Sequence, residues 1–267
     1  MNAMATTKPR ELFIELEHVS VARGVKTVLH DISLRIAADE HLAILGPNGC
    51  GKSTLIKTLT CECYPIIVPD LRVRIFGRER WELFELRKRL GIVEADLPRQ
   101  RTLHTIGRDA VISGFFSSST IWPGTEVSEE QRRRADEVLE QLEATHLADK
   151  PVGEMSAGEM RRVLIGRALV HRPKILLIDE PSNALDLAAQ YELRQILRKL
   201  ARHDTGILLV THHLADIPPE IERVVLMRAG RIVADGPKSE VLTEKALHEL
   251  FGVPVTLTQR DGFYHVW

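Results

Sequence analysis

The chain has 267 residues, with 36 Lys and Arg residues against 37 Asp and Glu residues, which gives a net charge of −1 at pH 7. This length allows one large domain or two small ones with a substantial buried core, and the balanced charge gives no support for binding to nucleic acid. No apolar run approaches the roughly 18 to 20 residues that a membrane-spanning helix needs, and residues 1–10 lack the apolar core of a secretory signal. We therefore expect any membrane attachment to depend on a partner.

Hydrophobic periodicity predicts the elements of the first half in chain order. Strands are expected within residues 13–45, a helix from Lys52, a strand at 73–77, a helix at 82–90 and a strand-like run from Gly91. From about 99 to 150 the pattern changes to one long charged helix that begins at a Ser128 cap.

In the second half, fully apolar strands alternate with helices. The pattern predicts a helix after Ser156, a strand at 174–181, a helix at 189–203, a strand at 206–213, and hairpins around Ala229–Gly230 and Asp261–Gly262. Strands that are apolar on both sides and alternate with helices indicate a parallel sheet covered on both faces. The predicted fold class is therefore α/β.

The stretch at 41–60, HLAILGPNGCGKSTLIKTLT, has the spacing of a phosphate-binding loop between a strand and a helix. Glycines allow backbone conformations and close approaches that a Cβ would forbid, and a helix N-terminus attracts anions. Lys52 would supply a positive charge to the β- and γ-phosphates, and the Ser53 hydroxyl would ligate Mg²⁺. The predicted binding residues are Gly46, Pro47, Asn48, Gly49, Cys50, Gly51, Lys52, Ser53 and Thr54.

Polar residues follow the two fully apolar strands of the second half. Asp179 and Glu180 end the first, and His212 follows the second. The carboxyl ends of parallel strands share one edge of the sheet, where ligands bind. We expect Asp179 to hold Mg²⁺ and Glu180 to orient, or accept a proton from, the attacking water. A lone histidine is usually structural, but its strand-end position favours a role for His212 near the γ-phosphate.

The three cysteines are Cys50, Cys61 and Cys63, an odd number that fits a reducing compartment. Cys61 and Cys63 have no second Cys or His pair at zinc spacing, which favours inert thiols over a metal site. Cys50 occupies a free position of the phosphate loop, so we expect its alkylation to block nucleotide binding.

Five segments, in chain order GPNGCGKST, MSAGE, LLIDEP, SNALD and THH, match the motifs of one family. They match its Walker A motif, LSGGQ-type signature, Walker B motif, D-loop and switch histidine. The chain therefore resembles, over nearly its whole length, the nucleotide-binding subunit of the ATP-binding-cassette (ABC) family. The resemblance implies a P-loop NTPase core with a mostly parallel sheet, an N-terminal antiparallel β subdomain and a helical signature subdomain. We expect this domain at 11–251, its helical part at about 97–160, and a β-hairpin extension at 252–267.

The resemblance also implies an ATP hydrolase that uses ATP and Mg²⁺, with Lys52, Glu180 and His212 as catalytic residues. Two copies of the chain would sandwich two ATP molecules head to tail. Ser156 and Gly158 of one copy would then bind the γ-phosphate held by the other, and Asp186 would couple the two sites. A transmembrane permease would be the second partner, which would place the protein in the cytoplasm on the inner face of the cell membrane.

The chain departs from the family pattern at three places. The signature has Ala157 and Glu159 where the family commonly has Gly and Gln. The position of the aromatic residue that often stacks on adenine falls near Arg23, and a guanidinium plane can also stack on a base. The usual Q-loop glutamine falls at Ala95, and the possible substitutes are Glu94, Asp96 and Gln100.

The segment GRIVADGPKSEVLTEKALHELFGVPV resembles the C-terminal end of importer subunits for iron complexes, haem or cobalamin, and the chain also resembles molybdate-type ATPases. We therefore expect import of a metal chelate or an oxyanion. Residues 106–122, IGRDAVISGFFSSSTIW, are either core or a docking surface for the permease.

Two other functions compete with the transporter. One is a soluble ABC ATPase that acts on nucleic acid or ribosomes, and the other is a regulatory nucleotide binder with little turnover. The single cassette and the lack of a basic tract favour the transporter subunit over the first, and we expect no direct contact with nucleic acid.

Overall fold

The computed structural model describes residues 10–93 and 103–267. Its strands are β1 Leu12–Arg23, β2 Lys26–Ala37, β3 His41–Leu45, β4 Arg72–Ile75, β5 Leu90–Val93, β6 Ile175–Asp179, β7 Gly206–Thr211, β8 Arg223–Arg228, β9 Arg231–Pro237, β10 Leu257–Arg260 and β11 Phe263–Val266. Its α-helices are α1 Lys52–Leu59, α2 Leu83–Arg89, α3 Gly107–Ile112, α4 Glu129–Gln141, α5 Ala157–Leu169, α6 Leu187–Leu200, α7 Lys238–Val241 and α8 Glu244–Phe251. In these two ranges, no helix has the length and apolar character needed to cross a membrane.

A six-stranded sheet in the order β5-β6-β7-β3-β8-β9 forms the centre of the fold. All neighbours are parallel except the pair β8 and β9. Successive side chains of a strand point to opposite faces, and in β3 Leu42 and Ile44 enter one hydrophobic core while Ala43 and Leu45 enter another. Burial on both faces explains why these strands read as continuous apolar runs.

An antiparallel sheet of β2, β1 and β4 shares one of these cores with the central sheet. The β1–β2 connection turns at Gly24, whose φ is +61°. The expected N-terminal antiparallel β subdomain is therefore present.

Helices α3, α4 and α5 pack together and belong to the other core. Their close approach depends on Gly166, where an added Cβ would lie 3.2–3.3 Å from Val111, Leu142 and Val138. The expected Ser128 cap begins α4, and the Gln131 side chain completes it as a capping box.

The charged helix is shorter than the sequence pattern predicts. Helix α4 ends at Gln141, and Glu143 has a φ of +54°. A left-handed residue cannot continue a right-handed helix, so the chain leaves the helix before the end of the charged run.

Both predicted hairpins in the C-terminal part are present. Ala229 and Gly230, and then Asp261 and Gly262, all have positive φ, as a two-residue type I′ turn requires. The terminal hairpin of β10 and β11 is packed onto the body of the protein through Tyr264, which is part of a buried core.

Candidate ATP-binding and catalytic site

The loop between β3 and α1 has the backbone geometry of an anion cradle. Gly49 and Gly51 have φ values of +75° and +112°, a region where glycine replaces other residues at no steric cost. Helix α1 begins at Lys52 directly after the loop, so the N–H groups of its first turn face the loop end. Amide groups in this arrangement suit phosphate oxygens.

The loop is fixed from behind by the ends of β7 and β8. The N–H of Gly46 donates to Thr211 O at 3.3 Å, and the N–H of Gly230 donates to Cys50 O at 2.8 Å. An added Cβ at Gly46 would lie 2.3 Å from Met227 O, so only glycine fits there. Pro47, Asn48 and Ser53 keep part of their surface accessible, whereas Thr54 is buried in the first turn of α1.

The Cys50 side chain belongs to the core behind the loop. It is 4% exposed, and it packs with the apolar residues between the two sheets. Burial raises the pKa of its thiol, and the thiolate is the reactive form. The buried thiol should therefore resist alkylation in the folded chain, and the blocking of nucleotide binding by alkylation of Cys50 stays a prediction, since its backbone forms part of the loop.

Lys52 lies against the loop with its side chain almost fully buried at 6% exposure. Its Nζ donates to Gly46 O at 2.7 Å and to Pro47 O at 3.2 Å. The same atom lies 3.3 Å from Glu180 Oε1. The ammonium is therefore held at the mouth of the cradle by oxygen atoms, the kind of partner that a phosphate also offers.

Glu180 joins Lys52 to His212. Its Oε2 lies 2.6 Å from His212 Nδ1 and accepts a longer bond of 3.3 Å from the His212 N–H. Glu180 has a φ of +44°, and its N–H donates to Val210 O at 2.8 Å. The structure thus brings together the three residues expected to be catalytic, with Glu180 in contact with both of the others, because β3, β6 and β7 are adjacent parallel strands that end at the same edge.

The two residues expected to hold Mg²⁺ offer suitable donor atoms. Ser53 presents an exposed hydroxyl in the first turn of α1, and Asp179 is the last residue of β6. Hydroxyl and carboxylate oxygens are the ligands that Mg²⁺ prefers, together with substrate phosphates. The residues therefore fit a magnesium ion that is completed by a nucleotide.

Ser156 and Asp186 begin two neighbouring helices. Ser156 caps α5 through a hydrogen bond from the Glu159 N–H, and Asp186 caps α6 by accepting from the Ala189 N–H at 2.8 Å. An added Cβ at Gly158 would lie 2.9 Å from Ala189 Cβ, so these helix starts are in contact. In the described ranges, no hydrogen bond or ion pair joins this group to Lys52, Glu180 or His212.

The charge of Glu159, at the position where the family commonly has glutamine, is paired within the chain. Its carboxylate accepts from Lys150 Nζ at 2.7 and 3.0 Å and from the Ser156 N–H at 2.7 Å. The Lys150 ammonium holds the pKa of Glu159 below its usual value. The carboxylate thus completes the cap of α5 and is compensated by a neighbouring cation.

Arg23 lies exposed at the end of β1, where its Nη1 donates to Cys63 Sγ at 3.6 Å. The four Q-loop positions, Glu94, Ala95, Asp96 and Gln100, lie outside the described residues.

The sequence patterns did not single out Arg161, a buried residue of α5. Burial lowers the pKa of its guanidinium, and the nearby charge of Asp179 opposes that effect. An arginine on an otherwise apolar helix face was the available signal.

The match to a family model decides the identity of the fold. The model of the ABC transporter family matches residues 29–183, which span the phosphate loop, the signature helix and the Asp179–Glu180 strand end. The chain belongs to the ABC transporter family. It is an ATP-binding and ATP-hydrolysing subunit that energises a membrane permease, as the sequence motifs predicted.

Similar proteins cover most of this chain. A hemin import ATP-binding protein of Streptomyces coelicolor is 33% identical over 249 residues, covering 92% of this chain and 86% of that protein. A cobalt import ATP-binding protein of Rhodobacter capsulatus is 36% identical over 227 residues, covering 84% and 77%.

Solved structures of ATP-binding cassettes show the same fold. The ADP conformation of one ABC transporter cassette has a TM-score of 0.79 and 26% identity, covering 90% of this chain and 98% of that chain. A dimeric cassette bound to ADP and Pi has a TM-score of 0.66 and 26% identity, covering 84% and 98%.

Proposed function

We propose that two copies of this chain bind two MgATP molecules head to tail and drive a permease that imports a metal chelate or an oxyanion. The observation that carries the proposal is the contact between Lys52, Glu180 and His212 at one sheet edge. Lys52 would exchange the carbonyls of Gly46 and Pro47 for phosphate oxygens. Glu180 would then be released to orient the attacking water, with His212 holding its carboxylate.

Magnesium would be held by the Ser53 hydroxyl and the Asp179 carboxylate, together with the nucleotide. When bound, the ion would neutralise charge that develops on the phosphates. Ser53→Ala should weaken ATP binding in the presence of Mg²⁺ and leave binding in EDTA nearly unchanged, as measured by fluorescence titration with a labelled nucleotide. Equal weakening in both buffers would argue against a role in metal binding.

The head-to-tail arrangement would explain why, within the residues that the structure describes, Ser156 and Asp186 make no polar contact with Lys52, Glu180 or His212. Ser156 and Asp186 lie at exposed helix starts, and a helix N-terminus binds anions. The exposed start of α5 would therefore bind the γ-phosphate held by the Lys52 of a second copy. The solved cassette dimer with ADP and Pi supports this assembly for a protein of the same fold.

A mixed dimer tests the arrangement. Lys52→Ala and Ser156→Ala should each abolish most turnover, but a dimer of one variant with the other keeps one site with both residues intact. Co-purified mixed dimers should therefore recover roughly half of the parent activity. If the mixture stays as inactive as the separate variants, each site is built within one chain and the head-to-tail proposal fails.

The permease would dock in a groove of about 290 Å³ between α2, β5 and α5. Arg87 and Arg167 are among the residues that line it, so an acidic or polar segment of the partner would fit. Phe115 and Phe116 pack partly against the core, which supports the core alternative for that part of 106–122. Trp122 is 63% exposed and supports the docking alternative for the end of the segment.

Reversing charge on the groove tests the docking site. Arg87→Glu combined with Trp122→Ala should abolish copurification with a membrane protein from native membranes and leave ATP binding intact. Arg132→Glu, on an exposed position of α4, is the matched control and should keep the partner. Retention of the partner by this double variant would argue against docking at both the groove and the end of 106–122.

The class of cargo is supported by the hemin and cobalt importers among the relatives and by the C-terminal segment. Loss of this chain should lower uptake of a labelled ferric chelate, haem, cobalt or molybdate in whole cells. Unchanged uptake of all four would exclude the proposed class. Attachment through the permease would place the protein on the cytoplasmic face of the membrane.

A further inference from the structure

Three buried polar side chains, those of Ser182, Thr211 and Asp216, lie close to Glu180 and His212 in the chain. Ser182 is 6% exposed, Thr211 is 0% exposed and Asp216 is 3% exposed. Both hydroxyls donate to the same carboxylate oxygen: Ser182 Oγ lies 2.7 Å and Thr211 Oγ1 lies 2.8 Å from Asp216 Oδ2.

Each donor is next to one member of the catalytic pair in the chain. Ser182 follows Glu180 by two residues, in the loop that leads to Asp186, and Thr211 immediately precedes His212. Thr211 Oγ1 also accepts from the His213 N–H at 3.0 Å. Asp216 lies at the end of the short 3-10 helix Leu214–Asp216, and its own N–H donates to His213 O at 3.2 Å. One carboxylate thus connects the segment after β6 with the segment after β7.

A stability role alone does not require this arrangement. Taking a carboxylate out of water is costly, and well-packed apolar residues of similar volume often serve a core as well or better. Buried polar networks in which every member is bonded hold their members in one geometry. The network therefore fixes the relative position of two chain segments.

The backbone of Glu180 gives an independent reason for such a restraint. Its φ of +44° is unfavourable for a residue with a Cβ and persists only where the surroundings hold it. The bond from Ser182 holds the chain two residues later, and the bond from the Glu180 N–H to Val210 O holds it from β7. The Glu180–His212 contact of 2.6 Å lies between these two restraints.

We infer that Asp216 is a positioning residue for ATP hydrolysis, which sets the separation of Glu180 and His212 by accepting the hydroxyl hydrogen bonds of Ser182 and Thr211. The inference rests on the proposed catalytic roles of Glu180 and His212. Among the described residues, Asp216 bonds to neither the phosphate loop nor Lys52, and the Gly46 N–H bonds to the backbone carbonyl of Thr211 rather than to its hydroxyl. Loss of Asp216 should therefore affect turnover and leave nucleotide affinity nearly unchanged.

The test compares kcat, KM and ATP affinity for Asp216→Ala and Asp216→Asn at a temperature where both variants are folded. Displacement of a catalytic group by about 1 Å can cost roughly 100-fold in rate, so Asp216→Ala should lower kcat by about 10- to 100-fold with KM changed by less than about threefold. Asp216→Asn keeps one acceptor oxygen and should recover most of that loss. Ser113→Ala removes another fully buried hydroxyl, which donates to Ala110 O in the helical part of the chain, and should keep the parent kcat.

A double-mutant cycle adds a readout that a general loss of stability would not produce. Ser182→Ala and Asp216→Ala should be non-additive in kcat, since both remove the same bond. An unchanged kcat for Asp216→Ala, an equal loss in Asp216→Asn, or additive effects in the cycle would each overturn the inference. Glu180→Gln distinguishes failure of the positioning role of Asp216 from failure of the proposed catalytic role of Glu180. If Glu180→Gln abolishes turnover while Asp216→Ala does not, only the positioning role is refuted. If Glu180→Gln keeps full turnover, the proposed role of Glu180 is refuted as well.

Discussion

The position of the phosphate loop depends on the lack of a side chain at Gly46, and Gly46→Ala tests that dependence. The new Cβ would lie 2.3 Å from Met227 O and 2.7 Å from Cys50 Sγ. Met227 belongs to β8, which is paired with β3 on one side and β9 on the other. The strand is therefore held in place, and the loop is the part that must move.

The size of the effect follows from this geometry. To bring the new Cβ even 3.0 Å from Met227 O, the loop must shift by about 0.7 Å. Overpacking of this kind typically costs about 1–3 kcal/mol of folding stability. For a chain of this length, that corresponds to a fall in Tm of roughly 2–12 °C. Losing one amide bond to a phosphate costs about 1.5–3 kcal/mol, or roughly 10- to 100-fold in the Kd for ATP.

Differential scanning fluorimetry and ATP titration measure the two effects. Gly236→Ala is the matched control, because its added Cβ would meet only Val241 Cγ2 at 3.5 Å, an ordinary contact distance. The control should raise Tm by roughly 1–4 °C, as Gly→Ala does at a position whose backbone suits alanine, and leave ATP affinity as it is. If Gly46→Ala behaves like Gly236→Ala, close approach to Met227 does not determine the shape of the loop.

Three further predictions concern side chains around the site and between the sheets. Cys50 should react with N-ethylmaleimide only when denaturant unfolds the chain, because its thiol is buried with a raised pKa; rapid modification of the native protein, detected by mass spectrometry, would contradict this. Glu159→Gln should lower Tm at pH about 7, and this difference should shrink as the pH falls below 4.5, because the Lys150 ammonium lowers the folded pKa of Glu159 and the stability this gives is lost as pH falls through that folded pKa; a difference in Tm that does not change with pH would contradict a contribution from the charge of Glu159. Arg223→Lys should lower the free energy of unfolding in urea by about 1–2 kcal/mol, because it breaks the two parallel bonds of 2.7 Å to Asp235; an unchanged midpoint would count against that contribution.

The position of the site could be predicted from sequence because it follows from strand direction. Parallel strands with short apolar runs place the residues after them at one edge, so Lys52, Glu180 and His212 were expected to lie near each other. The family match and the observed sheet confirm the fold on which that expectation depended. The chemical roles of the three residues remain predictions.

The direction of individual side chains could not be read in the same way. Whether Cys50 faces the ligand or the core depends on the left-handed turns at Gly49 and Gly51, which a template of allowed residues does not describe. The end of α4 at Gln141 likewise depends on the backbone of Glu143, while the charge pattern continues past it. In both cases a local backbone conformation overrides a correct pattern.

Contacts between distant segments are the part that sequence periodicity cannot supply. Ser182 and Asp216 are 34 residues apart and meet only because β6 and β7 are neighbours. The neighbouring positions of β6 and β7 made the site at the sheet edge predictable, and they also produce a buried hydrogen bond that no sequence spacing predicts. A carboxylate buried at such a junction is stable only when its oxygens accept hydrogen bonds. Asp216 could therefore be found only from its burial and its bonding partners, which the structure shows and the sequence does not.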